Sequence, residues 1–500
     1  MRRQPHPVIG LSEGLDASMQ PSLLTDLKSP SLKEVYFHKG ILKKDFGFSV
    51  FASTLAERPM LLYTYIQSTG TRILVAVTVD KAYEYNTTTE VWDLIADSTV
   101  FTGDEDDRFN ACTMNDLFIV TNGKDAIQKW TGAAWAVLGG LTLIKADLAV
   151  PFYTYLLLLN TLEDGTRCPF RVRWSDTADP ETWSGGNSGF FDMSDTQDVI
   201  IGWGMIHDRL YIFKDSSIWE VYYVGGSDIF KYRNVIKGTG TRSAGSIVNI
   251  EEILIFLGDD NFYKFDGAHT TPIGNEVVPI VCQAEGKEVN SKMLHRVSST
   301  YSVITRDYKI ALPTISNEPE LILKYDLKTG VWTRRNKQYT TCFGLDYASD
   351  RTAWGAATGT WGGGDWDKAW DFQSIPPETP LVLYGLSTGV FHKDDRVTKS
   401  TETLVWESKD FVFGQASRIT GFHISAKGDD FEMSHSFDGG LTWSINVVLS
   451  PDSLEFTDLF YPMNDTIIQV RARLRTSNEN LEVRWVIPWF VKRKRSKEAY

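Results

Sequence analysis

Aromatic residues that close short hairpins recur down the chain at a near-constant interval. Tyr85, Trp130, Trp174, Trp219 and Tyr263 follow one another at roughly 45 residues, the length of one four-stranded propeller blade. After Tyr263 the interval stretches to roughly 60, which a blade absorbs as loop insertions on one face. Each unit joins an apolar run to a second run through a polar turn. The runs are 73–77 with 81–85, 117–120 with 127–130, 171–174, 210–213 with 218–221, 253–256 with 262–265, 321–325 before Trp332, and 381–384 before Phe391. Asn122-Gly123 reads as a type I′ hairpin turn, because both residues tolerate positive φ. One such unit cannot bury its own apolar face, so the units must pack about a common axis. The expectation is an all-β chain, a β-propeller of six or seven blades with an appended small C-terminal β-domain. A pair of β-sandwiches shares the short, regular strands, but the repeat length favours the propeller.

Helical periodicity is almost absent, and 20 Tyr, 27 Phe and 16 Trp suit strands better than helices. Residues 1–34, with Pro21-Ser22 and Ser29-Pro30-Ser31, read as an N-terminal arm, and 35–400 as the propeller. Half-buried alternation around 411–413, 422–424 and 467–471 marks 401–491 as a separate C-terminal β-domain, and 492–500 as a basic tail. The greasiest stretch, from Leu148 to Leu159, falls short of the ~20 residues of a membrane helix and reads as one buried strand. No apolar signal segment follows Met1-Arg2-Arg3, so a soluble chain without an export signal is expected, with no membrane insertion. Cys112, Cys168, Cys282 and Cys342 lie far apart, which disfavours a zinc or redox motif and suits a reducing environment.

Two motifs carry turn chemistry. Residues 436–443 match an Asp-box through Ser436, Asp438, Gly440, Thr442 and Trp443, a hairpin whose Ser and Asp side chains bond turn amides while the Trp packs beneath. Asp176, Asp179, Pro180 and Trp183 form a second aspartate-stabilised turn with a core-capping Trp; a cation at its carboxylates is the less favoured use. The acidic run Asp104-Glu105-Asp106-Asp107 lacks the glycine and alternation of a calcium loop and reads as a solvated loop. Gly238-Thr239-Gly240-Thr241-Arg242-Ser243 lacks the Lys-Ser/Thr ending and the βαβ context of a phosphate loop. Metalloprotease and serine-hydrolase signatures are missing, and the eight histidines are scattered. No carboxylate pair stands out as a glycosidase couple. No catalytic residue, metal or cofactor is expected. The formal net charge of −13 argues against tight DNA binding, but suits a conduit that DNA must slide through.

A family resemblance adds to this reading. Residues 41–48, the Arg173-Trp174-Ser175-Asp176 turn with Asp179-Pro180 and Trp183, and 240–250 leading into 255–267 are together similar to tail hub proteins of short-tailed bacteriophages. These are also called nozzle or packaged-DNA stabilisation proteins. The resemblance is at pattern level over roughly 35–395, and the C-terminal block shares only its Asp-box hairpin. It implies a virion structural protein, assembled in the host cytoplasm as a homohexameric ring below the portal and adaptor. Such a ring lines the DNA exit channel, retains packaged DNA without sequence-specific binding, and mounts fibres or spikes. Competing expectations are a glycan-binding or glycan-hydrolysing propeller, prompted by the Asp-box and the Trp content, and a cellular scaffold propeller.

Overall fold

The computed structural model describes residues 4–5, 11–98, 100–226, 228–283, 287–336, 339–347 and 379–491. Six four-stranded antiparallel sheets stand free of one another. Blade 1 runs from Pro59–Ile66 to Val91–Ala96, blade 2 from Asn110–Met114 to Trp135–Val137, and blade 3 from Ile144–Phe152 to Gly189–Asp192. Blade 4 runs from Ile200–Ile206 to Phe230–Lys237, and blade 5 from Val248–Ile250 to Thr270–Pro272. A further four-strand meander, Ser298–Ser302 to Val331–Asn336, fills the next place in the ring as blade 6. Blade 7 combines Thr340–Asp346, Leu381–Leu386 and Phe391–Lys399 with Phe46–Val50 as its outermost strand, so the two ends of the propeller close in one sheet. Its first strand lies against that of blade 1, completing the circle.

The evenly spaced aromatics explain why the circle forms. Tyr85, Trp130, Trp174, Trp219 and Tyr263 all sit on the third strand of their blades, and Tyr325 and Phe391 do so in blades 6 and 7. A separate apolar cluster fills each gap between successive blades. Tyr65, Phe118 and Trp130 join blades 1 and 2, for example, while Ile119, Leu158 and Trp183 join blades 2 and 3. Burying one large apolar side chain contributes roughly 1.5–3 kcal/mol, so every blade is stabilised by its two neighbours.

Two local expectations are corrected. Asn122 does not adopt positive φ; its Oδ1 instead accepts the amides of Lys124 (3.1 Å) and Asp125 (2.9 Å), and only Gly123 is left-handed. The two-residue left-handed turn lies at Asn115-Asp116, joining Met114 to Leu117. The stretch from Leu148 to Leu159 is not one strand but most of a hairpin, Ile144–Phe152 with Tyr155–Glu163, turning at Tyr153. Blade interfaces bury both faces of these strands, which removes the alternation that would have exposed the turn.

The appended sheet starts at the outer edge of blade 6. Leu32–Lys33 pairs in parallel with Arg334 and, on its other side, antiparallel with Leu404–Glu407. From there the sheet continues through Thr457–Thr476, Phe411–Gly428 and Leu481–Val491 to the hairpin Val35–His38 and Ile41–Lys44. Phe431–Ser436 and Val447–Leu449 extend it beside Thr457–Thr476. One apolar cluster runs unbroken from blades 5 and 6 into this sheet. The expected boundary at 34/35 is therefore displaced: residues 32–44 belong to the appended sheet, and the propeller begins with Phe46–Val50. An unpaired blade edge offers free N–H and C=O groups, and Leu32–Lys33 satisfies them. The expected basic tail, 492–500, lies outside the described residues.

Candidate functional site

The two sequence motifs fold as self-bonded turns, far apart in the chain's architecture. In the Asp-box, Ser436 Oγ donates to Asp438 Oδ1 (2.6 Å) and accepts the Gly440 amide (2.8 Å). The Thr442 amide and hydroxyl both donate to Asp438, while Gly439 and Gly440 take left-handed φ. These bonds, from Ser436 first and then Thr442, hold the Asp438 carboxyl far below the usual carboxylate range. Trp443 is half-buried, with the Arg473 guanidinium 3.8 Å from its ring centre. In blade 3, Asp176 Oδ1 accepts the amides of Thr177 and Asn187, and Asp179 binds the Glu181 amide and the Thr182 hydroxyl. Trp183 is buried and donates from Nε1 to Pro180 O (2.9 Å), as a core cap must. Each carboxylate is bonded within its own turn. No group of three or more His, Cys, Asp and Glu among the described residues is placed to hold a metal.

A different charged cluster forms at the mouth of the central channel. Arg58, Arg108 and Arg296 stand one or two residues ahead of the first strands of blades 1, 2 and 6, at the same end of the propeller. The acidic run 104–107 is no free loop. Asp106 Oδ1 accepts from Arg296 Nε (2.7 Å) and pairs with His295 Nε2 (2.9 Å), and Glu105 lies 3.3 Å from Arg58 Nη1. Glu318 Oε1 accepts from both Arg58 (2.8 Å) and Arg296 (2.9 Å). Blades 2 and 6 face each other across the seven-place ring, so this run forms a strap over the mouth. His295 first and then Arg296 push the Asp106 pKa down to about 2. Arg108 is the exception: its Nε and Nη2 are shut off from solvent and have no partner among the described residues. Burial first, then repulsion from Arg58 and Arg296, pushes its pKa down to about 9. The run is solvated as expected, with Asp104, Glu105 and Asp106 more than half exposed; the recurrence of arginine just before a first strand was the signal available for its ion pairs.

At the opposite face, where the first-to-second and third-to-fourth turns of blade 6 lie, a cavity of about 820 Å³ opens against the appended hairpin. Its floor is a buried ion network. Lys324 Nζ donates to Asp45 Oδ2 (2.5 Å), Arg335 Nε lies 3.2 Å from Glu34 Oε2, and Lys309 pairs with Asp394 and donates to Tyr384 Oη (2.9 Å). Burial alone would raise the Asp45 carboxyl, but Lys324 and Arg335 outweigh it and hold it low. Asp307, equally buried, is raised by desolvation. Sequence reading singled out none of these residues, because they come together only through the blade 6, blade 7 and hairpin contacts. The loop around Thr241, set aside as a phosphate loop, is likewise structural: the buried Thr241 hydroxyl donates to Leu257 O (2.7 Å).

No model of a known protein family matches the chain, and no curated protein does. Among solved structures, it is similar to a chain of the mitotic checkpoint complex at 9% identity and a TM-score of 0.40, covering 75% of this chain and 98% of that one. It is also similar to the Neurospora crassa Pan2 WD40 domain (9% identity, TM-score 0.37, 69% and 92% covered). BamB from Moraxella catarrhalis gives 10% identity and a TM-score of 0.38, with 73% and 94% covered. At such scores the propeller assignment rests on the strand topology described above.

Proposed function

We propose that this protein works by assembly and not by catalysis, as the tail hub or nozzle of a short-tailed bacteriophage. In that role copies of the chain form a ring, a hexamer by the family resemblance, between the portal–adaptor complex and the fibres or spikes. The observation that carries the assembly part is an apolar surface on the appended sheet. Within the loop 437–446, Leu441 is 85% exposed and Ile445 89%, with Phe437 also exposed. Large apolar side chains held uncovered in one loop are a feature of contacts with other proteins. The shared core with blade 6 makes the sheet a rigid mount for that contact. The acidic balance fits DNA passing without adhesion.

A glycan-binding role finds less support. The described tryptophans are buried or half-buried, and a guanidinium lies over Trp443 of the Asp-box, so the rings serve the core. The test is particle composition and symmetry. Antibody labelling should place the chain in the tail of purified virions, and images of the chain assembled with a portal–adaptor complex should show a six-fold ring with an axial channel. A chain that stays monomeric both alone and with that complex, and is absent from virions, would sink the proposal.

A further inference from the structure

The chain as a whole is acidic, with 64 Asp and Glu against 51 Lys and Arg. The cavity between blade 6 and the appended hairpin reverses that sign: seven lysines and arginines line it against four aspartates. On its floor the cations are committed to Asp45, Asp394 and Glu34. On its rim they are not. Lys39 sits at the tip of the hairpin turn 38–41, and Arg306 and Lys328 sit on the two turns of blade 6 opposite. All three are exposed, and none makes an ion pair among the described residues. Lys39 and Arg306 are set by left-handed turn geometry (φ 51° and 56°), so their backbones are fixed. Cations thus approach the cleft from both walls. Like charges across a cleft with low-dielectric walls repel each other, and the cleft concentrates their field on any anion that enters.

We propose that this cavity is a binding site for a small polyanion carrying phosphate groups, held between Lys39 on one wall and Arg306 and Lys328 on the other. The volume lies within the range of small-molecule sites, and junctions between two packed units are common places for them. Arg306 can take two oxygens of a phosphate at once through its planar fork, while the lysines act as point charges. The ligand bridges the propeller and the appended sheet, so binding stiffens the junction that carries the apolar surface.

Calorimetric titration of the full chain with pyrophosphate, at low and at moderate salt, tests the site. The expected result is one saturable site per chain, weakened at least tenfold by Lys39→Ala and by the pair Arg306→Ala/Lys328→Ala. A control pair on the outer strand of blade 4, Lys231→Ala/Lys237→Ala, should leave binding unchanged. All these positions are exposed, so the variants keep the fold. Absence of saturable binding, or equal loss in the control pair, overturns the proposal. So does tight binding of a single-stranded oligonucleotide that pyrophosphate fails to displace, because that would make the surface a nucleic-acid track and not a small-molecule site. These outcomes are independent of whether the chain is found in virions.

Discussion

Arg108 shows how a single side chain can be out of balance with its surroundings. Elsewhere in this chain the Nε–Nη2 fork of an arginine takes a carboxylate on both nitrogens, as Arg171 does with Asp192 and Arg471 with Asp410. In Arg108 the same fork is enclosed and has no hydrogen-bond partner among the described residues. An enclosed cation whose donors lack hydrogen-bond partners is destabilising, so Arg108→Met is expected to stabilise the protein by on the order of 1–3 kcal/mol, read from urea unfolding. The buried network makes the opposite case. Asp45 answers both Lys324 and Arg335; Asp45→Asn strands the enclosed Lys324, while Arg335 keeps Glu34. A loss of about 3–5 kcal/mol in the same measurement is expected. Asp106 gives a pH dependence. Its folded pKa, about 2, lies below the unfolded 3.8, so its contribution is present above pH 3.8 and fades as pH falls toward 2. Protection factors of the amides within 104–107, corrected for intrinsic exchange at each pH, should fall across that window in the native protein, and Asp106→Asn should show low protection already at neutral pH.

Single elements divide into those that hold the ring and those that hold only themselves. The Asp176–Asp179 turn of blade 3 delivers Trp183 into the cluster between blades 2 and 3, so its side chain is part of the propeller's core. Trp183→Ala is expected to cost about 3–5 kcal/mol and to lower the melting temperature of the whole propeller. The Asp-box closes its own hairpin beside exposed apolar residues, and Asp438→Ala should act locally. Limited proteolysis should then cut within 437–446 while the melting temperature of the propeller stays unchanged. Both turns were legible in the sequence because their side chains bond within a few residues. The difference in their reach was not, since it depends on which neighbour each Trp meets.

The whole molecule is a closed ring with a rigid sheet attached, and its surface chemistry sits on the attachment. If the chain has the proposed hub role, replacing Leu441 and Ile445 by Asp is expected to leave the melting temperature intact but to abolish self-association and binding to the portal–adaptor complex, as measured by sedimentation velocity. The aromatic hairpin repeat determined the propeller from the sequence alone: each unit has an apolar face it cannot bury unaided, and the interval sets the blade length. Five aromatics spaced by that interval all proved to lie on third strands. The tertiary structure alone decided where the ring closes, because the closing strand, Phe46–Val50, is separated by most of the chain from the strands it completes. The same holds for the displaced boundary at residues 32–44, the strap over the channel mouth and the cationic cavity. Each depends on contacts between segments remote in sequence, whose charges and strand edges carry no local mark of the partner they will meet.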